Sequence, residues 1–253
     1  MRAFDCGGAR ATVTERWSRY QELVRDDFPL LYAQEMRIPS MATDGGILGA
    51  SFVHEATAAG CPVLNRRPTS TVEPLTSSDV LFCGPAGTCS PLHHDFPHGI
   101  AVIQVLTGRK RLLVVPAEAE AALESAFPRF ADCRSGPIRQ TSSACFDLAS
   151  LDFSTATTLT DLGAASAELG PGDVVLIGSG VFHQLQNVEE STLSRHDMLL
   201  LPTHLRGFVT AWPLPRAVRT LNAIREAWTD HTELAQLFEE CQAVVDERGK
   251  ETG

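Results

Sequence analysis

Between residues 79 and 202 the apolar side chains come in short runs that Gly and Pro interrupt, at 80–82, 100–106, 111–115, 174–177 and 198–201. Runs of this length, rich in Val, Ile and Leu and bounded by turn formers, read as strands rather than helices. Many short strands in series close into a sandwich or a barrel. The flanks have a different grain. Trp17, Tyr20, Leu23, Val24, Phe28 and Leu31 recur at helical spacing, which predicts an amphipathic helix that stops before Pro29. After Pro213 and Pro215 the stripe Val218, Leu221, Ile224, Trp228, Leu234, Leu237, Phe238, Cys241 and Val245 is broken near residues 229–232, which predicts two helices. Residues 116–130 read as a further helix, and 133–167, rich in Ser and Thr, as loop with short strands. The expected organisation is a flexible leader over 1–13, a β-rich domain over 14–212 with its N-terminal helix, and a helical extension over 213–253.

With 253 residues, 43% hydrophobic and 21% charged, the chain buries one substantial core and fits one elaborated domain. The formal net charge of −10 repels polyanions, so no nucleic-acid partner is expected. Seven cysteines without a C-x-x-C pair are expected as free thiols in a reducing cytoplasm. The N-terminal residues show no apolar signal core, and no run reaches spanning length, so neither membrane insertion nor export is expected.

One polar pattern stands out within the β-rich part. In Leu92-His93-His94-Asp95, strand alternation sends His93 and Asp95 to one face and His94 to the other. Eight histidines are present, and an isolated one is more often a packing residue than a ligand, so the spacing alone leaves both readings open. His183, far along the chain in a second strand-rich stretch, completes a set of two imidazoles and one carboxylate. That set on one face of an octahedron leaves three positions open, which suits non-haem Fe(II) and O2.

The ordered set of motifs resembles the JmjC (jumonji C) branch of the cupin-fold Fe(II)/2-oxoglutarate oxygenases. It comprises Gly84-Pro85-Ala86-Gly87-Thr88, Leu92-His93-His94-Asp95, Gly108-Arg109-Lys110, an apolar run ending in Pro116, Pro171-Gly172-Asp173, and His183 followed by Asn187. The resemblance covers residues 79–115 and 169–188 and is weaker elsewhere. It implies a mainly β fold, a double-stranded β-helix (jelly-roll or cupin) core with flanking N-terminal and C-terminal α-helices. It also implies His93, Asp95 and His183 as metal ligands and catalytic residues. One departure is visible: many relatives carry Ile-Pro-x-Gly-Trp-Trp before the second histidine, whereas this chain has Ile177-Gly178-Ser179-Gly180-Val181-Phe182, a smaller and less aromatic wall.

In the resembling family the cosubstrate 2-oxoglutarate holds its remote carboxylate on the lysine of the Gly-x-Lys turn, here Lys110. A buried carboxylate needs such a partner. Arg109 and Arg111, its neighbours on a strand, point the other way. Ser90 falls where relatives place a hydroxyl facing the cosubstrate. Tyr32 resembles a tyrosine that some relatives supply from before the barrel, and core packing accounts for it equally well. Gln104 stands near a position where the family has Asn, Thr or Tyr, with its direction dependent on register. Asn187 either faces the pocket or satisfies a turn.

The resemblance therefore implies an oxygenase using Fe(II), 2-oxoglutarate and O2. Hydroxylation of an amino-acid side chain or small metabolite is expected first, and N-methyl demethylation is the same chemistry followed by formaldehyde loss. The substrate is a small molecule or a peptide or protein. A cupin-fold metal-binding protein without oxygenase activity, such as a sensor, isomerase or interaction module, is the competing class. The C-terminal helices either pack on the barrel or form a homodimer contact, and their pattern is compatible with both.

Overall fold

In this computed structural model the described residues are 64, 81–95, 99–127 and 146–251 with side chains, and 2–5, 12–14, 31–37 and 80 by backbone. Eleven strands are described. They are β1 (Arg2–Asp5), β2 (Thr12–Thr14), β3 (Leu31–Arg37), β4 (Val80–Gly84), β5 (Cys89–His93) and β6 (Ile100–Thr107), then β7 (Lys110–Val115), β8 (Ala165–Leu169), β9 (Val174–Ile177), β10 (Phe182–Asn187) and β11 (Thr192–Leu199). They form a large sheet in the order β2-β1-β3-β4-β11-β6-β9 and a small sheet in the order β5-β10-β7-β8. From β4 onward, successive strands alternate between sheets along most of the path, every described pairing is antiparallel, and the result is the expected jelly-roll.

Alternation decides what lies between the sheets. Ala101, Ile103 and Val105 from β6, Leu112 from β7, Leu169 from β8, Ile177 from β9 and Leu185 from β10 form one buried cluster drawn from both sheets. The intervening side chains Leu92, Leu113, Val115 and Phe182 belong to a second cluster outside the small sheet. Two helices cover that outer face, α1 (Glu120–Ala126) through Leu123 and α2 (Phe153–Asp161) through Leu159. Burying these apolar faces on both sides of one sheet is the main favourable term holding the layers together.

Several expectations are corrected. The leader is not unstructured throughout: Arg2–Asp5 pairs with Thr12–Thr14 and with Leu31–Arg37. Strands this short take their stability from the sheet they join, so local sequence signals them weakly. Of the expected N-terminal helix, residues 15–30 lie outside the described residues. Within the segment read as loop, residues 153–161 are helical despite their threonines, because the Asp152 carboxylate accepts from the Thr155 N–H at 2.9 Å and caps the first turn. A helix that was not expected, α3 (Pro202–Ala211), precedes the boundary at 213, with Pro202 at its start, a position where a missing N–H costs nothing. Past that boundary stand the two expected helices, α4 (Leu214–Ala227) and α5 (Ala235–Glu251), with the break between them where the stripe is interrupted. Leu205, Phe208, Val209, Leu221, Ile224, Phe238 and Cys241 bury a separate apolar core among these helices. Cys83 and Cys241 carry thiols as expected, but Cys89 is disulfide-bonded. Among the described residues, no helix is long and apolar enough to cross a membrane.

Candidate metal centre

His93 closes β5 and His183 stands second in β10, and the sheet register places them opposite one another. Their rings lie 4.4 Å apart between centroids. The Nδ1 of His93 is 2.6 Å from the Pro91 carbonyl oxygen, and the Nδ1 of His183 is 3.2 Å from that of Val181. A carbonyl oxygen only accepts, so each Nδ1 carries the hydrogen and each Nε2 presents a lone pair. Asp95 follows two residues after the strand ends, and its two oxygens lie 3.6 Å from the two Nε2 atoms.

That separation is too long for a hydrogen bond. Three lone-pair donors, one from each residue, thus converge within 4.8 Å of one another, an arrangement that a cation satisfies. At metal–ligand lengths of about 2.1 Å, neighbouring ligand atoms stand roughly 3 to 3.5 Å apart, close to the spacing found. The set fits a divalent metal, and the backbone carbonyls behind each imidazole orient the rings toward it. His94 stays out of the set: its ring meets Phe182 edge-on at 4.9 Å, on the side of the outer core.

Burial pushes the His183 imidazole down to about 4, helped by the neighbouring His93, so it is neutral near pH 7. Burial also opposes charge on His93, but the adjacent Asp95 carboxylate outweighs it and raises His93 above the usual imidazole range. For Asp95, desolvation acts against ionisation, and His93 and His183 overcome it, holding the carboxyl well below the ordinary carboxylate range.

Lys110 opens β7 and is fully buried. It pairs in register with Asn187, and its Nζ donates to Asn187 Oδ1 at 2.8 Å. Asn187 Nδ2 in turn donates to the Gly84 carbonyl oxygen at 3.1 Å and to Thr88 Oγ1 at 2.8 Å. Backbone bonds from Gly87 N to Asn187 O and from Asn187 N to Thr88 O close the turn onto the same residue. Motifs some hundred residues apart in sequence therefore form one buried polar knot. Desolvation lowers the Lys110 ammonium to about 7, with the Cys83 thiol acting weakly the other way. Arg109 reaches outward to Glu168 at 2.8 Å and Glu189 at 3.3 Å, as strand alternation requires.

The remaining expected site residues divide. Ser90 pairs in register with the inward-facing Leu185, across the bulge between His183 and Leu185. There its Oγ accepts from Leu185 N at 3.2 Å. Gln104 does not face the interior: it alternates with the buried Ile103 and pairs with Arg195 on the opposite side of the large sheet. The observed register, absent from the sequence, reverses that expectation. The backbone of Tyr32 lies in β3 opposite Phe4, and its side chain is outside the described residues.

One inward residue was missed. His196 pairs with Ile103 across β11 and β6 and stacks on Phe82 at 3.9 Å between centroids. Its Nε2 lies 3.0 Å from Ser194 Oγ. The run 192–197 is polar and alternates with little apolar signal, so the sequence signals a strand only from Met198.

Residues 21–198 match the family model described as "Cupin-like domain". The chain belongs to the cupin-like domain family. No curated protein matches it. Among solved structures, this cupin-like chain is similar to the Schizosaccharomyces pombe Cnp3 cupin domain at 12% identity, over 49% of this chain and 56% of that one, with a TM-score of 0.27. It is also similar to Drosophila melanogaster CENP-C bound to CAL1, at 8% identity over 47% and 58% of the two chains, with a TM-score of 0.27. A third likeness is to Peruvianin-I, a cysteine peptidase from Thevetia peruviana latex, at 12% identity over 47% of each chain, with a TM-score of 0.28. The cupin-like chain thus spans about half the length of each of these structures.

Proposed function

We propose that this cupin-like domain is an Fe(II)- and 2-oxoglutarate-dependent oxygenase that hydroxylates a C–H bond of an amino-acid side chain or a small metabolite. The observation that carries this reading is the buried Lys110 on the same small sheet, facing the same interior, as the His93–Asp95–His183 set. A metal with open positions and a buried cation deeper in the barrel suit a 2-oxo acid with a second carboxylate.

Bound by His93, Asp95 and His183, iron would supply the activation of O2: one oxygen atom goes to the substrate C–H as hydroxyl, the other to 2-oxoglutarate, which leaves as succinate and CO2. The chain's own part is positional. Pro91 and Val181 carbonyls fix the two imidazoles, Asn187 fixes Lys110, and the cluster of Ile103, Val105, Leu112 and Leu185 keeps the space between the sheets apolar. In such surroundings a carboxylate gains more from Lys110 than it would in water.

Anaerobic addition of Fe(II) and then 2-oxoglutarate should give the weak visible charge-transfer band of the chelate, and admitting air with substrate pools should release succinate. Formaldehyde release in the same assay would assign N-methyl demethylation. Absence of the band from metal-loaded protein would reject the oxygenase. One observation favours the second reading, a metal-binding cupin-like protein without oxygenase activity: Lys110 already donates to Asn187, which is a structural role. Metal binding without 2-oxoglutarate binding would establish that alternative.

A further inference from the structure

We propose that Val114 and Ala165 line the path by which substrate reaches the metal, and that the group delivered there is an uncharged aliphatic one. The inference rests on the oxygenase reading above and deepens it: the C–H bond hydroxylated belongs to such a group and not to a methylated ammonium.

Register sets the path. His93 pairs with His183, His183 with Val114, and Val114 with Ala165, across β5, β10, β7 and β8. Residues directly opposite one another in antiparallel strands share a face, with side chains about 5 Å apart. The row of two metal-ligating imidazoles therefore continues as an isopropyl and then a methyl group. Exposure rises along it: His183 is 2% exposed, Val114 is half-buried and Ala165 is exposed. Two rows along, Asn187, Lys110 and Leu169 pair in the same way, and all three are buried. Strand β8, the edge of the small sheet among the described residues, thus closes the lysine end and leaves the metal end open.

The chemistry of the wall sets the class of group. Val114 of β7 and Val181, just before β10, pack on the interior cluster, which Val175 and Ile177 of β9 join from the large sheet. With Ala165, all of these side chains are aliphatic. A cation brought among them would shed water against groups that offer it no hydrogen bond, counter-charge or aromatic face. An aliphatic group has no such cost and gains by leaving water. The overall change balances as R–H, O2 and 2-oxoglutarate giving R–OH, succinate and CO2, with no N–C bond broken.

The test uses the full chain loaded with Mn(II) and two hydroxamates, whose heads chelate the metal. Their tails are isosteric, one ending in a tert-butyl group and the other in trimethylammonium. Calorimetric titration should show the tert-butyl probe binding about tenfold or more tightly, the least expected for a cation desolvated without a partner. Ala165→Glu, which sets a carboxylate in the path, should reverse that preference. Ser166→Glu, next along β8 on the opposite face, should leave it within about twofold. If Ala165→Glu fails to bind Mn(II), Ala165→Leu decides: it narrows the path and should weaken both probes, and unchanged binding of both would overturn the inference. Equal affinities in the wild type, binding of neither probe, or a preference untouched by Ala165→Glu would also overturn it. Failure of the Fe(II)-loaded protein to form the 2-oxoglutarate band, with the preference intact, would overturn the oxygenase reading and leave the path.

Discussion

His93 and His183 are paired across β5 and β10, and each places its Nδ1 on the backbone carbonyl two residues earlier, that of Pro91 or Val181. Two strands from distant parts of the chain thus repeat one local device. Each carbonyl selects the tautomer that turns Nε2 toward Asp95, so the ligand set is oriented before any metal arrives.

Removing a ligand should therefore act on metal affinity directly. His93→Ala, Asp95→Ala and His183→Ala are each expected to lower it by about 100-fold or more, above the usual cost of losing an orienting neighbour. His94→Ala, whose ring faces Phe182, should change it little. Calorimetric titration with Mn(II) checks this, and an equal loss from His94→Ala would refute the assigned geometry. Metal should also raise the thermal midpoint of the wild type, and not that of the three ligand variants.

Lys110 gives a pH dependence of definite sign. Its ammonium titrates at about 7 in the folded chain and near 10.5 when unfolded. Between those values the unfolded chain binds more protons, so stability of the ligand-free protein should rise with pH from about 7 toward 10, and Lys110→Met should flatten that rise. Chemical denaturation across this range measures it. Binding a carboxylate at Lys110 should take up a proton, so 2-oxoglutarate affinity should fall about tenfold per unit above pH 8, a slope of one proton. A flat profile would show that Lys110 does not hold the ligand.

Asn187 joins Lys110 to the Gly84–Thr88 turn. Asn187→Ala should cost about 1–3 kcal/mol of stability in denaturant titrations, because it strands buried polar groups. Asn187→Asp should instead supply a charged partner to Lys110, raise the lysine's pKa and weaken 2-oxoglutarate by competition, read as a loss of affinity with metal binding intact. Equal 2-oxoglutarate affinity in wild type and the Asp variant would show that ligand and Asn187 do not share the lysine.

Gly108 opens the turn into Lys110 with φ +69°, and a Cβ there would stand 2.6 Å from Thr192 Oγ1 and 2.8 Å from Thr192 Cα. Gly108→Ala should destabilise by about 1–3 kcal/mol through backbone strain alone, and by more once the collision with β11 is included. Gln104→Ala, on the far side of the large sheet, should leave ligand affinity unchanged. The same denaturation and titration measurements check both.

What the sequence alone determined was the local chemistry: runs at 80–82, 100–106, 111–115 and 174–177 that are strands, and the Gly108-Arg109-Lys110 turn. Composition, spacing and turn propensity act over a few residues, and there they were sufficient. Tertiary structure decided which polar side chains face the interior, because that depends on register between strands remote in sequence. It sent Gln104 outward, brought Asn187 onto both Lys110 and the Gly84–Thr88 turn, and placed His196 between the sheets. It also gave β11 its start at Thr192 and residues 153–161 their helix, since pairing and a capping carboxylate outweigh weak intrinsic preference in both segments.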